Sequence, residues 1–311
     1  MNVENEKRPL LEVKHLKQYF GTVKKPFKAV DDISFCVYKG EAFGLVGESG
    51  SGKTTTGRAI VGLYPITGGE ILFNGKRIGA GTEIIKKEGA SVKRELKKND
   101  GLRKKIQMIF QDPLSSLNPR MVVKEIVAEG LIVQGQKCRE VLERKVYKAL
   151  EEVGLSREQA GRYPHEFSGG QRQRIGIARA LVTDPEMIVA DEPVSALDVS
   201  VQAQVINLLE DLKKRRGLTV LFVAHDLSVV KYFCDRIGVI YKGKLVEIAP
   251  SEELFENPLH PYTKELLSAI PLPDPLYERS RERKPFKQWK TGENARLTQV
   301  SEGHFVLTEE E

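Results

Sequence analysis

The stretch GESGSGKTT, residues 47–55, decides how this sequence folds. It follows the apolar run Ala42–Val46 and opens Thr54–Val61, a segment predicted to be a helix. The string matches the pattern GxxxxGK[ST], whose glycines let the backbone turn so tightly that successive N–H groups face phosphate oxygens. The positive end of the helix dipole adds to that attraction. The sequence therefore predicts a phosphate-binding loop between a strand and a helix.

Individual residues of this loop have distinct expected roles. Lys53 would bridge the β- and γ-phosphates of a nucleotide, and the Thr54 hydroxyl would ligate Mg²⁺. The alternative is a glycine-rich turn that binds no ligand. The Rossmann dinucleotide-binding fingerprint fits less well, because that motif does not require a lysine at position 53. The nucleotide-contacting residues predicted from the loop are Gly47, Glu48, Ser49, Gly50, Ser51, Gly52, Lys53, Thr54 and Thr55.

Polar residues follow three further apolar runs that the sequence predicts to be strands. The runs, each with the residue that follows it, are Ile106–Phe110 with Gln111, Met187–Ala190 with Asp191, and Thr219–Ala224 with His225. Ligands bind at the carboxyl edge of the strands in open α/β sheets. We therefore expect these side chains to lie beside the phosphate loop, although a histidine in such a position can also be structural.

Two adjacent acids end the run MIVADEP, residues 187–193. Asp191 is expected to hold Mg²⁺, directly or through water. Side chains alternate along a strand, so Glu192 faces elsewhere, which suits polarising an attacking water. A solvated strand end is the alternative interpretation of this pair.

The segment HEFSGGQRQR, residues 165–174, opens another predicted helix, Ser168–Val182. Ser168 can cap its first turn, while Gly169 and Gly170 allow a ligand to approach free N–H groups. The sequence therefore predicts a second anion site in addition to the phosphate loop. The alternative is a helix that is simply well capped.

The composition excludes several classes of protein. With 311 residues, 40% hydrophobic and 30% charged, the chain has the balance of a globular protein with a sizeable core. No apolar run approaches the ~20 residues that cross a bilayer, and the charged N-terminus lacks the apolar region of a secretion signal, so we expect a cytosolic chain. Its three cysteines are too widely spaced for a zinc or iron–sulfur cage.

Positive charge is concentrated in one segment. Residues 76–105 hold 11 basic and 4 acidic residues, whereas the whole chain carries a net charge of +6. This polar segment is expected to be a loop or a partly helical insertion with a solvated face, or a surface attracted to anionic lipid headgroups. The rest of the chain is nearly neutral, so no nucleic-acid partner is expected.

Alternating strands and helices predict an α/β fold. The other predicted elements are strands at Leu10–Val13, Ile33–Val37 and Glu70–Phe73, helical segments within 121–153, and a helix at Val201–Leu212. The proline- and charge-rich stretch PLPDPLYERSRERKP, after residue 270, predicts an extended surface tail.

The motifs come along the chain in the order phosphate loop, Gln111, SGGQ, VADEP, SALD and His225. In that order they resemble those of the ATP-binding subunit of an ABC transporter. The resemblance covers about residues 8–245 and includes the SALD turn, residues 195–198. It implies a P-loop NTPase core with an N-terminal antiparallel β subdomain and an inserted helical subdomain at about 113–165. The implied division is an ATPase domain over residues 8–265 and a C-terminal tail over 266–311.

The resemblance also implies roles for residues. Such subunits form head-to-tail pairs in which ATP, with Mg²⁺, is sandwiched between the phosphate loop of one chain and the SGGQ turn of the other. The residues expected to act across that interface are Ser168, Gly169, Gly170, Gln171 and Asp198. The expected catalytic residues are Glu192, His225, which would contact the γ-phosphate, and Gln111; the expected metal-contacting residues are Thr54, Gln111 and Asp191. Phe20 is the predicted adenine-stacking residue, with Tyr19 as the rival and a core aromatic as the alternative.

Longer stretches are similar to ATPase subunits of oligopeptide/dipeptide importers. They are GRAIVGLYPITGGEILFNGK (57–76), YPHEFSGGQRQRIGIARAL (163–181), ENPLHPYTKELLSAIPLPDP (256–275) and EGHFV (302–306). Some such relatives have a cysteine cluster in the tail; this chain has none there, so no iron–sulfur centre is expected.

This narrower resemblance implies a peripheral subunit on the cytoplasmic face of the membrane. Its partners would be two membrane-spanning permease subunits, a second ATPase subunit (a copy or a paralogue) and, indirectly, an extracytoplasmic substrate-binding protein. ATP-driven closure of the pair would drive import of oligo- or dipeptides. The alternatives are import of an oligosaccharide or nickel, a soluble ABC ATPase acting on nucleic acid, and a non-catalytic subunit.

Overall fold

The structure is a computed structural model that describes residues 8–22, 25–81, 83–87, 90–94, 100–269 and 295–308. The strands of these ranges, numbered in chain order, are β1 (Pro9–Thr22), β2 (Lys25–Tyr38), β3 (Ala42–Val46), β4 (Gly68–Phe73), β5 (Lys76–Ala80), β6 (Glu83–Lys87), β7 (Ala90–Arg94), β8 (Ile106–Ile109), β9 (Met187–Asp191), β10 (Thr219–Ala224), β11 (Arg236–Tyr241), β12 (Lys244–Pro250), β13 (Arg296–Ser301) and β14 (His304–Thr308). The helices of the same ranges are α1 (Lys53–Val61), α2 (Asp100–Arg103), α3 (Pro113–Ser116), α4 (Val123–Val133), α5 (Arg139–Glu152), α6 (Gly169–Leu181), α7 (Val199–Arg216), α8 (Leu227–Phe233), α9 (Ser251–Glu256) and α10 (Pro261–Ser268). None of these helices is both long and apolar enough to span a bilayer.

The larger sheet places the strand that leads into the phosphate loop at its centre. Its strands run in the order β13-β14-β12-β11-β3-β10-β9-β8. The strands from β11 to β8 pair in parallel with their neighbours, so their carboxyl ends share one edge. β3, β9 and β10 are buried along their whole length, as expected for parallel strands covered on both faces. The predicted α/β fold is confirmed.

A smaller antiparallel sheet, with strand order β2-β1-β4-β5, covers one face of the larger sheet together with α1. Its inward residues Leu11, Ile33 and Phe73 pack in one core with Phe43 and Leu221 of the larger sheet. This core fixes the smaller sheet next to the start of α1, beside the phosphate loop.

The β1–β2 hairpin is longer than the sequence predicts. Pairing continues outward until Phe20 lies opposite Phe27. The outer residues are mostly exposed and show no apolar alternation, so only the buried inner parts, Leu10–Val13 and Ile33–Val37, were recognisable as strands.

Helices cover the other face of the larger sheet. The core there contains side chains from α4, α6, α7 and α8 together with β10, for example Ile126, Ile177, Leu209, Phe233 and Phe222. The predicted helical stretch 121–153 is divided into α4 and α5. Gly135, at φ 92°, closes the end of α4 in the left-handed conformation that glycine adopts without strain.

The prediction of a loop or partly helical insertion for the basic segment is wrong for most of its described residues. β5 completes the smaller sheet, and β6 pairs with β7 as an antiparallel hairpin. The β-branched residues Ile84, Ile85 and Val92 favour strands even within a highly charged segment. Only α2 is helical, and residues 82, 88–89 and 95–99 lie outside the described ranges.

The described part of the C-terminal region packs onto the larger sheet. α10 spans residue 265, the boundary expected between the ATPase domain and the tail, so that boundary does not coincide with a break between elements. β14 pairs with β12 and with β13, which makes a β-hairpin the edge of the sheet. The stretch PLPDPLYERSRERKP lies outside the described residues.

Candidate nucleotide-binding site

The phosphate loop lies against the smaller sheet. Gly52, the residue before α1, has φ 110°, and a Cβ at this position would lie 2.4 Å from the carbonyl oxygen of Ala29 in β2. No side chain fits at that distance, and L-residues avoid that backbone conformation. Glycine is therefore required here by both the turn and the close approach of β2.

Lys53 is folded back into the loop. Its side chain is buried, and Nζ donates hydrogen bonds to the carbonyl oxygens of Gly47 and Glu48, each at 2.7 Å. Burial lowers the pKa of Lys53, while Glu192 and Asp191 act in the opposite direction. A further anion close to this ammonium would favour its charged form, which suits Lys53 to binding phosphate.

Asp191 and Thr54 are in direct contact. The Thr54 hydroxyl donates to Asp191 Oδ1 at 2.8 Å, and Arg58 Nε lies 3.8 Å from Asp191 Oδ2. Asp191 is fully buried, and burial raises its pKa. Its Oδ2 has no hydrogen-bond partner among the described residues. A buried carboxylate oxygen in that position, beside a hydroxyl, fits the oxygen ligands that Mg²⁺ requires.

Glu192 faces a different group of side chains. Its Oε2 accepts a hydrogen bond from Gln111 Nε2 at 3.0 Å and is 3.0 Å from His225 Nδ1. Glu192 has φ 45°, a strained conformation for a non-glycine residue, and its main-chain N–H donates to Val223 O. The turn directs the carboxylate toward the ends of β8 and β10. Glu192 thus contacts both of the other two predicted catalytic residues.

The SGGQ turn starts α6 with a reciprocal cap. Ser168 Oγ accepts from the Gln171 N–H at 3.3 Å, and Gln171 Oε1 accepts from the Ser168 N–H at 3.0 Å. Ser168 and Gly169 are exposed, whereas Gly170 is buried against α7, where a Cβ would lie 2.4 Å from Val201 Cγ1. In the described part of the chain, no hydrogen bond or ion pair joins this turn to the phosphate loop.

Asp198 lies just ahead of α7, which packs against the start of α6. It is exposed, and its carbonyl oxygen accepts from the N–H groups of Val201 and Gln202. The carboxylate makes no capping hydrogen bond within the described chain. Asp198 is therefore accessible, and the preceding residue, Leu197, lies beside the SGGQ turn, where a Cβ at Gly169 would be 3.5 Å from Leu197 Cδ2.

Phe20 and Tyr19 point in different directions from β1. The Tyr19 hydroxyl donates to Asp31, and burial raises its pKa. Phe20 is 37% exposed and packs edge-on against Tyr64, with ring centroids 5.5 Å apart. Phe20 therefore stays the predicted adenine-stacking residue, whereas the Tyr19 hydroxyl is engaged within the hairpin.

Two residues near the site were not found from the sequence. Arg58 follows Thr54 by one helical turn, a spacing that could have indicated its position beside Asp191. Tyr262 of α10 accepts a hydrogen bond from the Glu48 main-chain N–H at 3.0 Å. These residues are 214 positions apart, and no local pattern indicates such a contact.

Two family models match the chain. One, described as ABC transporter, matches residues 30–195, and the other, described as Oligopeptide/dipeptide transporter, C-terminal region, matches residues 246–294. This chain belongs to the ABC transporter family. It is a nucleotide-binding ATPase with the fold expected from its phosphate loop and SGGQ motif.

Curated relatives match along almost the whole chain. The oligopeptide transport ATP-binding protein OppF of Bacillus subtilis is 58% identical, with 97% of this chain and 96% of that protein covered. The dipeptide transport ATP-binding protein DppF of Lactococcus lactis is 50% identical, with 98% and 96% covered. These names do not favour the sequence-based alternatives of an oligosaccharide or nickel importer or of a nucleic-acid ATPase.

Solved structures of ATP-binding cassettes share the fold. The structure of cbiO1 from Clostridium perfringens, part of the ABC transporter complex cbiONQ, has a TM-score of 0.66 at 26% identity and covers 80% of this chain and 91% of that one. A dimeric post-hydrolysis state of the cassette MJ0796, bound to ADP and Pi, has a TM-score of 0.64 at 28% identity and covers 78% and 98%.

Replacing Gly52 with Ala is expected to weaken ATP binding. The new Cβ would meet Ala29 O at 2.4 Å, so the loop must shift. A left-handed alanine adds ~1–2 kcal/mol of strain, and a comparable loss of binding energy corresponds to roughly tenfold weaker binding. Titration of a fluorescent ATP analogue measures this. Gly176→Ala is the control, because a Cβ there meets nothing within 4 Å; equal affinities of the two variants would contradict the prediction.

Proposed function

We propose that this ATPase powers the import of oligo- or dipeptides through two separate membrane-spanning subunits, at the cytoplasmic face of the membrane. The main support for a peptide substrate is the match of residues 246–294 to the C-terminal region of oligopeptide/dipeptide transporters. The full-length relatives named for oligopeptide and dipeptide transport support it. The site geometry supports the ATPase chemistry that this proposal requires.

ATP would bind with its phosphates on the loop and its adenine beside Phe20. Lys53 supplies positive charge, and the main-chain N–H groups at the start of α1 supply donors. Thr54, Asp191 and Gln111 would hold Mg²⁺, directly or through water. When bound, that ion neutralises charge on the phosphate oxygens.

Glu192 is proposed to act as the general base for hydrolysis. Its carboxylate would accept a proton from a water molecule as the water oxygen attacks the γ-phosphorus, while the bond to the β–γ bridging oxygen breaks and ADP leaves. Gln111 and His225 hold Oε2 of this carboxylate from two sides, each at 3.0 Å. They would therefore orient the carboxylate toward the attacking water, and His225 would contact the γ-phosphate.

A second ATPase subunit would complete the site. The turn formed by Ser168, Gly169, Gly170 and Gln171 exposes Ser168 and Gly169 to solvent, and no described hydrogen bond or ion pair connects it to the loop of the same chain. We propose that this turn binds the γ-phosphate held by the loop of a partner, either a copy or a paralogue, with Asp198 at the interface. Phosphate release would remove charge-assisted hydrogen bonds and let the pair open.

The membrane subunits are proposed to dock on the helical insertion. Segment 112–120 and the helices that follow it carry large apolar side chains in contact with solvent. Leu114, Ile132, Val133 and Tyr163 are all exposed. Contiguous exposed apolar surface marks interaction sites, so these side chains would form the contact with the membrane subunits. Gln111, directly before this segment, would connect it to the site. The extracytoplasmic substrate-binding protein would act through the membrane subunits.

Replacing Glu192 with Gln is expected to stop turnover while preserving binding. Glutamine keeps the side-chain shape but cannot accept the proton, so the rate should fall by about a hundredfold or more. Phosphate release and ATP binding are both measured, with Glu252→Gln in an exposed turn of α9 as the control. Near-normal hydrolysis by E192Q would remove Glu192 from this role.

Mixing two inactive variants tests whether the site is shared. Ser168→Arg and Lys53→Ala should each reduce hydrolysis at least about tenfold, because each removes charge-assisted hydrogen bonds to phosphate. In a head-to-tail pair of the two variants, one composite site has both Lys53 and Ser168 intact. Activity should therefore reappear in the mixture, measured on the purified chain at high protein concentration. A mixture as inactive as its components would show that two copies of this chain do not share a site, which leaves a paralogue as the partner or a site within one chain.

The substrate is tested in the assembled transporter. The membrane complex and its substrate-binding protein are reconstituted in vesicles, and hydrolysis is measured with di- and oligopeptides, an oligosaccharide or nickel. Peptides are expected to stimulate hydrolysis several-fold, and E192Q complexes should not respond. Stimulation by the oligosaccharide or by nickel but not by any peptide would overturn the proposed substrate, while leaving the ATPase assignment intact.

A further inference from the structure

The C-terminal region reaches the phosphate loop through one buried side chain. Tyr262, in the first turn of α10, is 2% exposed, and its ring packs against Tyr241 with centroids 4.3 Å apart. Its hydroxyl oxygen accepts a hydrogen bond from the Glu48 N–H at 3.0 Å. Burial raises the pKa of Tyr262 to about 12, so the hydroxyl is neutral under physiological conditions.

The peptide unit that Tyr262 contacts is the one that holds the phosphate-binding lysine. The Glu48 N–H and the Gly47 carbonyl belong to the same planar peptide group. The N–H donates to Tyr262, and the carbonyl oxygen accepts from Lys53 Nζ at 2.7 Å. Because the group is rigid, a hydrogen bond on one side sets the direction of the carbonyl on the other. Tyr262 therefore influences where the ammonium of Lys53 lies.

The start of α10 is fixed by a buried carboxylate. Glu247 of β12 is fully buried, and its two oxygens accept from the N–H groups of Leu259 at 2.8 Å and His260 at 3.0 Å. Nδ1 of His260 in turn accepts from the Tyr262 N–H at 3.1 Å. The backbone immediately before Tyr262 is thus hydrogen-bonded to the larger sheet.

The same carboxylate connects α10 to the terminal hairpin. His304, at the start of β14, is fully buried, and its Nε2 lies 2.8 Å from Glu247 Oε1. Unbroken contacts therefore run from His304 to Glu247, then to the backbone at 259–260, Tyr262 and the phosphate loop. Buried polar groups of this kind have well-defined positions because an unsatisfied partner is costly.

We propose that Tyr262 is a positioning residue for the phosphate loop, and that Glu247 and His304 hold it in place. By this arrangement the C-terminal region sets the affinity of the ATPase for ATP. A loop that is already oriented loses less conformational entropy when ATP binds. This role of Tyr262 concerns nucleotide binding and does not depend on which solute is transported.

Replacing Tyr262 with Phe removes only the hydroxyl. One hydrogen bond contributes ~1 kcal/mol, so we expect KM for ATP to rise about fivefold while kcat changes by less than about twofold. The Glu48 amide should also exchange its hydrogen faster, as measured by mass spectrometry on the full chain. Tyr38→Phe is the control, since Tyr38 lies half-buried under Arg236 at the start of β11, the end of that strand away from the phosphate loop. Unchanged KM and unchanged exchange at Glu48 in Y262F would overturn the proposal.

A second comparison tests the connection from the hairpin. His304→Ala is expected to raise KM in the same direction, and His304→Gln, which can still donate to Glu247, should restore it in part. In the Y262F background, His304→Ala should add little, because residues acting through one contact are not additive. Full additivity of the two effects, or loss of kcat and thermal stability without a change in KM, would show that His304 supports the fold only.

Discussion

The buried ammonium group of Lys53 determines how the phosphate loop and the residues around it are arranged. Lys53 is removed from water, and burial lowers its pKa, so the ammonium needs oxygen ligands close by. The carbonyl oxygens of Gly47 and Glu48 are these ligands, and the tight turn of the loop brings both of them to the ammonium group. Asp191 and Glu192 add negative charge, because β3 and β9 end at the same edge of a parallel sheet. The loop, the helix and the acids are therefore parts of one electrostatic arrangement.

Two adjacent acids have separate environments in this arrangement. Asp191 ends the strand and faces Thr54 and Arg58, where burial raises its pKa. Glu192 begins the turn with positive φ and faces Gln111 and His225 instead. Glu192 makes both contacts from a backbone conformation with φ 45°. The two carboxylates therefore have different partners, which agrees with the separate metal-binding and water-activating roles proposed for them.

Local patterns in the sequence predicted those parts of the site that are formed by residues close together in the sequence. The strand–loop–helix around Lys53 and the cap at Ser168 are such features, and the shared edge followed from general rules of parallel sheets. Features held by distant contacts were not predictable in this way. The outer half of the β1–β2 hairpin, the β6–β7 hairpin and the pairing of β14 with β12 carry weak or mixed patterns. The hydrogen bond between Tyr262 and Glu48 depends on the whole fold.

Two other regions of the chain lie next to the nucleotide-binding site: the helical insertion and the C-terminal region. The helical insertion follows Gln111 and carries exposed apolar side chains, so a partner bound there can act on the end of the site where water is activated. Tyr262 contacts a different part of the site, at the peptide group that holds Lys53. If both proposals hold, a change at the helical insertion alters the rate of hydrolysis, whereas a change at Tyr262 alters the affinity for ATP. The two contacts are made by different regions of the chain, so the proposed effects on turnover and on nucleotide affinity are separable by mutation.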